Sequence, residues 1–136
     1  MTFVISIKDV IQEYPDNSRI LEQVLNNMAE FQKTGFRLES GDLKSYKYYA
    51  QLDFGIASSR TAIGNALGDL WRFCYDNEIP LLNLLVVRQD NQLPGDGIYN
   101  WYIEHYNTLK DYDKYCKIHA SLAELMLTNG CIQIIK

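Results

Sequence analysis

Long apolar runs, positive charge, histidine and cysteine are all scarce in this chain, and each scarcity closes off a class of function. No segment of the 136 residues approaches the roughly 18 consecutive apolar residues that a membrane span requires, so no membrane role is expected. The opening MTFVISIKDVIQEYPD lacks a basic leader and places Lys8 and Asp9 too early for a signal peptide, which makes a cytoplasmic location the expectation. Cys74, Cys116 and Cys131 are odd in number and scattered. That argues against a disulfide framework and for reduced, mostly buried thiols. Lysine and arginine number 13 against 17 aspartates and glutamates, a net charge of −4. An acidic balance disfavours generic binding to phosphate backbones while leaving room for a local basic face. With two histidines and no serine or cysteine in a strained elbow, a nucleophilic triad has no support.

What is present is apolar and aromatic. Hydrophobic residues make up 47% of the chain, enough for a real core. Ten tyrosines are many for this length. Tyrosine is large and amphipathic, so a binding surface or a homo-oligomer contact is a fair expectation. There is no internal repeat, low-complexity tract or linker, and the length fits one domain.

Residues 1–14 suit a short strand or a turn of amphipathic helix, with Ser6 as a cap in SIKDVIQEY and Pro15 as the stop. DNSRILEQVLNNMAEFQKTGF is a helix: Ile20, Leu21, Val24, Leu25, Met28 and Phe31 form a one-sided stripe, Asn17 or Ser18 offers a cap, and Gly35 closes it. A strand or loop near 36–39 and a short helix over about 42–53 follow. SSRTAIGNALGDLWRFCYDNEIP carries a second stripe, from Ala62 to Cys74, with Ser58 or Ser59 as its cap. LLNLLVV suits a buried strand. Residues 98–128 are mostly helical, with a break near 107–111, and CIQIIK closes the chain as a strand after Gly130. The fold class is therefore α+β: a mostly helical single domain with a small sheet. It divides into a helical part over 1–36, a central part over 37–100 and a C-terminal helix and strand over 101–136.

Several motifs bear on chemistry. In RQDNQLPGDG, Gly95 and Gly97 permit close backbone approach to a ligand, and Asp96 can orient a partner or cap the helix starting at Ile98. The loop lacks the lysine and spacing of a phosphate-binding P-loop and the dinucleotide fingerprint. CKIH sets Cys116 and His119 on one helix face, but complete ligand pairs are missing, so no metal is expected. The carboxylates near Asp16 and Asp42 do not fall on adjacent strands, as a magnesium-dependent nuclease requires. In KSYKYYAQLDFGIASSR, Lys44, Lys47 and Arg60 alternate with tyrosines. Cations reach phosphates, and tyrosines hydrogen-bond or stack on bases.

One order of residues extends this. Tyr49 opens YAQLD, Arg60 precedes the small-residue helix TAIGNAL, and Pro80 leads into LNLLVV and the turn LPGDG. In this order residues 49–97 resemble the winged-helix DNA-binding domain of alkylguanine-DNA alkyltransferases and alkyltransferase-like proteins. The resemblance implies a winged-helix-like core in which Tyr49 presses on a phosphate and Arg60 enters the duplex where a base is extruded. Asn83 stands at the place of the reactive cysteine. The family's cysteine, histidine and arginine are Asn83, Leu84 and Leu85 here, so alkyl transfer is not implied. Residues 80–97 are also similar to a pattern in uncharacterised small bacterial and phage proteins.

The expectation is a non-catalytic binding protein without a cofactor. It would contact nucleic acid or a nucleotide through Lys44, Lys47, Tyr49, Arg60, Asn83 and the loop at Gly95, Asp96 and Gly97. The alternative is an acidic partner-binding protein of the immunity or anti-defence kind. That protein would mask another protein sterically, with tyrosines and carboxylates as anchors.

Overall fold

The computed structural model of the chain describes residues 2–34, 48–49, 60–87 and 96–136. Strand β1 (Phe3–Ser6) runs directly into helix α1 (Ile7–Glu13), so the opening segment is strand and helix in succession. Ser6 makes the switch. Its backbone is extended, and its Oγ accepts a hydrogen bond from the Asp9 N–H at 3.4 Å, satisfying one of the donors a helix start leaves open. A turn of 3₁₀ helix at Pro15–Asn17 leads into α2 (Ser18–Thr34). Ile20, Leu21, Val24, Leu25 and Met28 are all buried, the single face their spacing predicts.

β2 (Tyr48–Tyr49) follows, so the helix expected over 42–53 does not cover these two residues: their backbones are extended for ladder pairing. The expected strand or loop at 36–39, Gly35 and the caps Ser58 and Ser59 lie outside the described residues. Helix α3 (Arg60–Asp76) buries Ile63, Ala66, Leu70 and Cys74. The Asn17 side-chain amide, just ahead of α2, donates to Asp69 Oδ2 at 2.5 Å and ties the start of α2 to α3. The α3 C-terminus closes on Glu78 in the left-handed region (φ 55°), with Ile79 N–H donating to Cys74 C=O at 2.9 Å. This is the closure a glycine usually supplies.

LLNLLVV is buried as expected from Leu81 to Val86, yet it is not a strand along its length. Leu82–Leu85 is a 3₁₀ turn, and only β3 (Val86–Val87) is extended. A continuous apolar run reports burial on all sides, not a backbone conformation. β3 pairs in parallel with β2, Tyr48 with Val86 and Tyr49 with Val87.

Helices α4 (Asp96–Tyr106) and α5 (Tyr112–Thr128) are separated where the break was expected. The Tyr102 hydroxyl donates to the Lys110 carbonyl at 2.7 Å and holds the turn between them. The 3₁₀ turn at Leu82–Leu85 packs between α3 and α5. Gly130, at φ 82°, turns the chain into β4 (Ile132–Ile135). β4 pairs in parallel with β1, from Phe3 against Ile132 to Ser6 against Ile135. Its outer edge is closed by one side chain of α2. The Gln32 amide donates to the carbonyls of Ile132 and Leu127 and accepts from Ile134 N–H at 3.3 Å, an imitation of a neighbouring strand. A single apolar core runs from Ile5 to Ile134, and the architecture is the mostly helical α+β domain that the sequence predicts, its strands joined in two parallel pairs. No helix among the described residues is long and apolar enough to cross a membrane.

Candidate partner-binding surface

Most of the residues singled out from sequence fall at or beyond the edge of the described residues. Lys44, Lys47 and Gly95 lie outside the described residues. Tyr49 is fixed by its backbone pairing with Val87, and Arg60 is the first residue of α3; their side chains also lie outside the description. Asp96 begins α4. Gly97 is exposed in the first turn, and a Cβ there would meet nothing within 4 Å, so close backbone approach does not require glycine at that position. Asn83 is 5% exposed, inside the 3₁₀ turn, and its Oδ1 has no hydrogen-bond partner among the described residues. It is a core group rather than a surface contact. Cys116 is buried and His119 half-buried. No three potential metal ligands gather among the described residues.

A different constellation emerges where α3, α4 and α5 meet. Trp101 on α4 is its hub. It lies against Trp71 of α3 (ring centroids 5.1 Å apart), against Tyr115 of α5 (6.2 Å) and flat against His105 one turn along α4 (4.9 Å, 14° between planes). Trp71 stacks on Tyr75 at 5.0 Å, Tyr102 packs on Tyr106 at 4.6 Å, and Tyr115 on His119 at 4.3 Å. Each of these pairs is spaced i, i+4, so each helix aligns its own rings before the helices join them. Such ring pairs contribute about 0.5–1.5 kcal/mol each beyond area burial.

The network grades from dry to wet. Tyr102 and Tyr112 form its buried floor, Trp71, Trp101 and Tyr115 are half-buried, and Tyr75 and Tyr106 stand 50% and 46% exposed. Burial, helped by the neighbouring Tyr106 phenol and Cys116 thiol, pushes the Tyr115 hydroxyl up to about 12. Burial also holds His119 below its ordinary value. Both rings are therefore uncharged at neutral pH. The Trp71 indole N–H is buried without a partner among the described residues.

The margin beside Tyr75 is acidic. Asp76 and Glu78 are exposed next to it. The Tyr14 phenol is raised by burial and then by the carboxylates of Glu13, Asp76 and Asp69, which converge on it. Asp69 is engaged by Arg72 at 2.7 Å. Ring faces edged by carboxylates favour cationic and apolar side chains, because the negative face of the ring and the carboxylate act in the same direction. Sequence reasoning noted the tyrosine excess but looked for its use at residues 46–49. The spacings Trp71/Tyr75, Trp101/His105 and Tyr115/His119 were the signal available for this network.

The chain matches no family model, no curated protein and no solved structure.

Proposed function

We propose that the chain is a small non-catalytic binding protein that docks through the α3–α4–α5 aromatic face onto a basic protein surface and masks it. The observation that carries this reading is the connected ring network that emerges into solvent at Tyr75 and Tyr106. Monomeric surfaces rarely leave such rings in a group, and aromatic anchors dominate the energetics of interfaces. The net charge of −4 and the carboxylates beside Tyr75 select for a cationic partner. Contact with nucleic acid through Lys44, Lys47, Tyr49 and Arg60 is the competing proposal, in a winged-helix-like setting.

Both tryptophans of the chain belong to the network, so its emission reports on this face directly. Titration with an arginine-rich peptide is expected to shift tryptophan emission, and Tyr75→Ser combined with Glu78→Lys is expected to weaken the response at least about tenfold. A labelled DNA duplex, followed by anisotropy at about 50 and about 200 mM salt, tests the competitor. Salt-sensitive duplex binding lost in Arg60→Ala, with no emission response to the peptide, would replace this proposal with the nucleic-acid one.

A further inference from the structure

Both histidines of the chain lie in the aromatic network, and they are held in different ways. His119 is half-buried on α5 against Tyr115, where burial disfavours its charged form. His105 is exposed on α4. Its ring lies flat on Trp101 and meets Tyr106 edge-on, with ring centroids 4.7 Å apart and 83° between planes. Trp101 in turn meets Tyr75 at 6.1 Å. Along the ring contacts His105 therefore stands between the two rings that emerge into solvent. It touches Tyr106 and is one tryptophan away from Tyr75.

Histidine is the side chain that gains charge between pH 8 and pH 5. Carboxylates as a class titrate near pH 4, phenols near pH 10, and guanidinium keeps its charge throughout. The groups around His105 come from all three helices. Helix α3 supplies the Tyr75 phenol, the exposed Asp76 and Arg72, which is paired with Asp69. Helix α4 supplies Glu104, Tyr102 and Tyr106. Helix α5 supplies Tyr115, Cys116 and His119, and burial raises both the Tyr115 phenol and the Cys116 thiol. Between pH 8 and pH 5 the imidazoles are thus the groups by which this face changes its charge.

The flat stack decides where that charge sits. The negative face of an indole attracts a cation, so the imidazolium stays on Trp101, where the neutral ring was. From there it repels any cation that approaches Tyr75 or Tyr106, because both lie within reach of the ~10 Å Debye length of 0.1 M salt. The neutral ring leaves the carboxylates beside Tyr75 to attract the same cation unopposed.

We propose that His105 gates the aromatic face by pH: neutral, it leaves the face open to a basic partner, and protonated on Trp101 it acts as a built-in cation that repels that partner. The gate rests on the reading of this face as a docking surface for a basic partner.

Anisotropy of a labelled arginine-rich peptide, titrated with the protein at about pH 7.5 and about pH 5.5 in low salt, tests it. Wild type is expected to bind about three- to fivefold more weakly at the lower pH, the scale of one exposed charge contact. His105→Gln is expected to bind equally at both values, and His105→Lys weakly at both. His119→Gln should keep the pH dependence of wild type, which assigns the effect to the exposed imidazole. Equal pH dependence in wild type and His105→Gln would overturn the gate and leave the docking surface standing. Absence of peptide binding at either pH would overturn the docking surface and the gate with it, so the two failures are told apart.

Discussion

Helices α2 and α5 are equal in length, 17 residues each, and opposite in how they spend their large side chains. α2 buries Ile20, Leu21, Leu25 and Met28 and faces outward with Arg19, Glu22 and Lys33. α5 places the small residues Cys116, Ala120 and Ala123 inside and leaves Ile118, Leu122 and Leu125 outside. The first arrangement stabilises a core. The second lets a helix backbone sit close to its neighbours while keeping bulk available for something else. Burial alone explains α2, and it does not explain α5.

Four measurements break or sharpen this contrast, all read from denaturant unfolding. Leu25→Ala on α2 should have the largest effect, a loss of about 2–5 kcal/mol from transfer and cavity terms together. Ala123→Leu tests the tight inner face of α5 from the other side: overpacking there should cost about 1–3 kcal/mol. Gln32→Ala should cost about 1–2 kcal/mol, because it strands the Ile132 carbonyl and the Ile134 N–H at the edge of β4. Leu122→Ala, on the exposed side of α5, should stay within about 0.5 kcal/mol of wild type. A loss there comparable to Leu25→Ala would erase the distinction between the two helices.

The smallest expected effect is electrostatic. Burial holds His119 below its ordinary 6.5, so the folded chain binds protons there less readily than the unfolded one. The stability tied to this residue is therefore intact above about pH 6.5 and falls as pH drops through the folded value. Between about pH 7.5 and about pH 5, wild type should lose more stability than His119→Gln. Parallel losses in the two proteins would show that the Tyr115–His119 contact tolerates the charge.

Much of this fold was legible from periodicity. The stripes of α2 and α3, the Ser6 cap, the break before Tyr112 and the closing strand follow from side-chain spacing within ten or so residues. LLNLLVV was half legible: its composition announced burial, but an apolar run with no polar phase cannot distinguish a 3₁₀ turn from a strand. Asn83 was read from sequence as a ligand contact, and only the fold places it in the core. The aromatic network was the least visible. Trp71, Trp101 and Tyr115 sit on three different helices, and nothing local states that Trp101 will lie 5.1 Å from Trp71 and 6.2 Å from Tyr115. The tyrosine excess announced an interface without locating it.

The parallel pairing of β1 with β4 has a mechanical meaning. Phe3 lies level with Ile132 and Ser6 with Ile135, so the outer ends of the two strands point to opposite ends of the ladder. Tension applied across Phe3 and Ile135 runs along the strands and loads their hydrogen bonds together, in shear, instead of peeling them one by one. Gln32, holding β4 from its other side, shares that load. The pair acts as a clasp, and a chain pulled between these strands should resist until the whole ladder gives way at once.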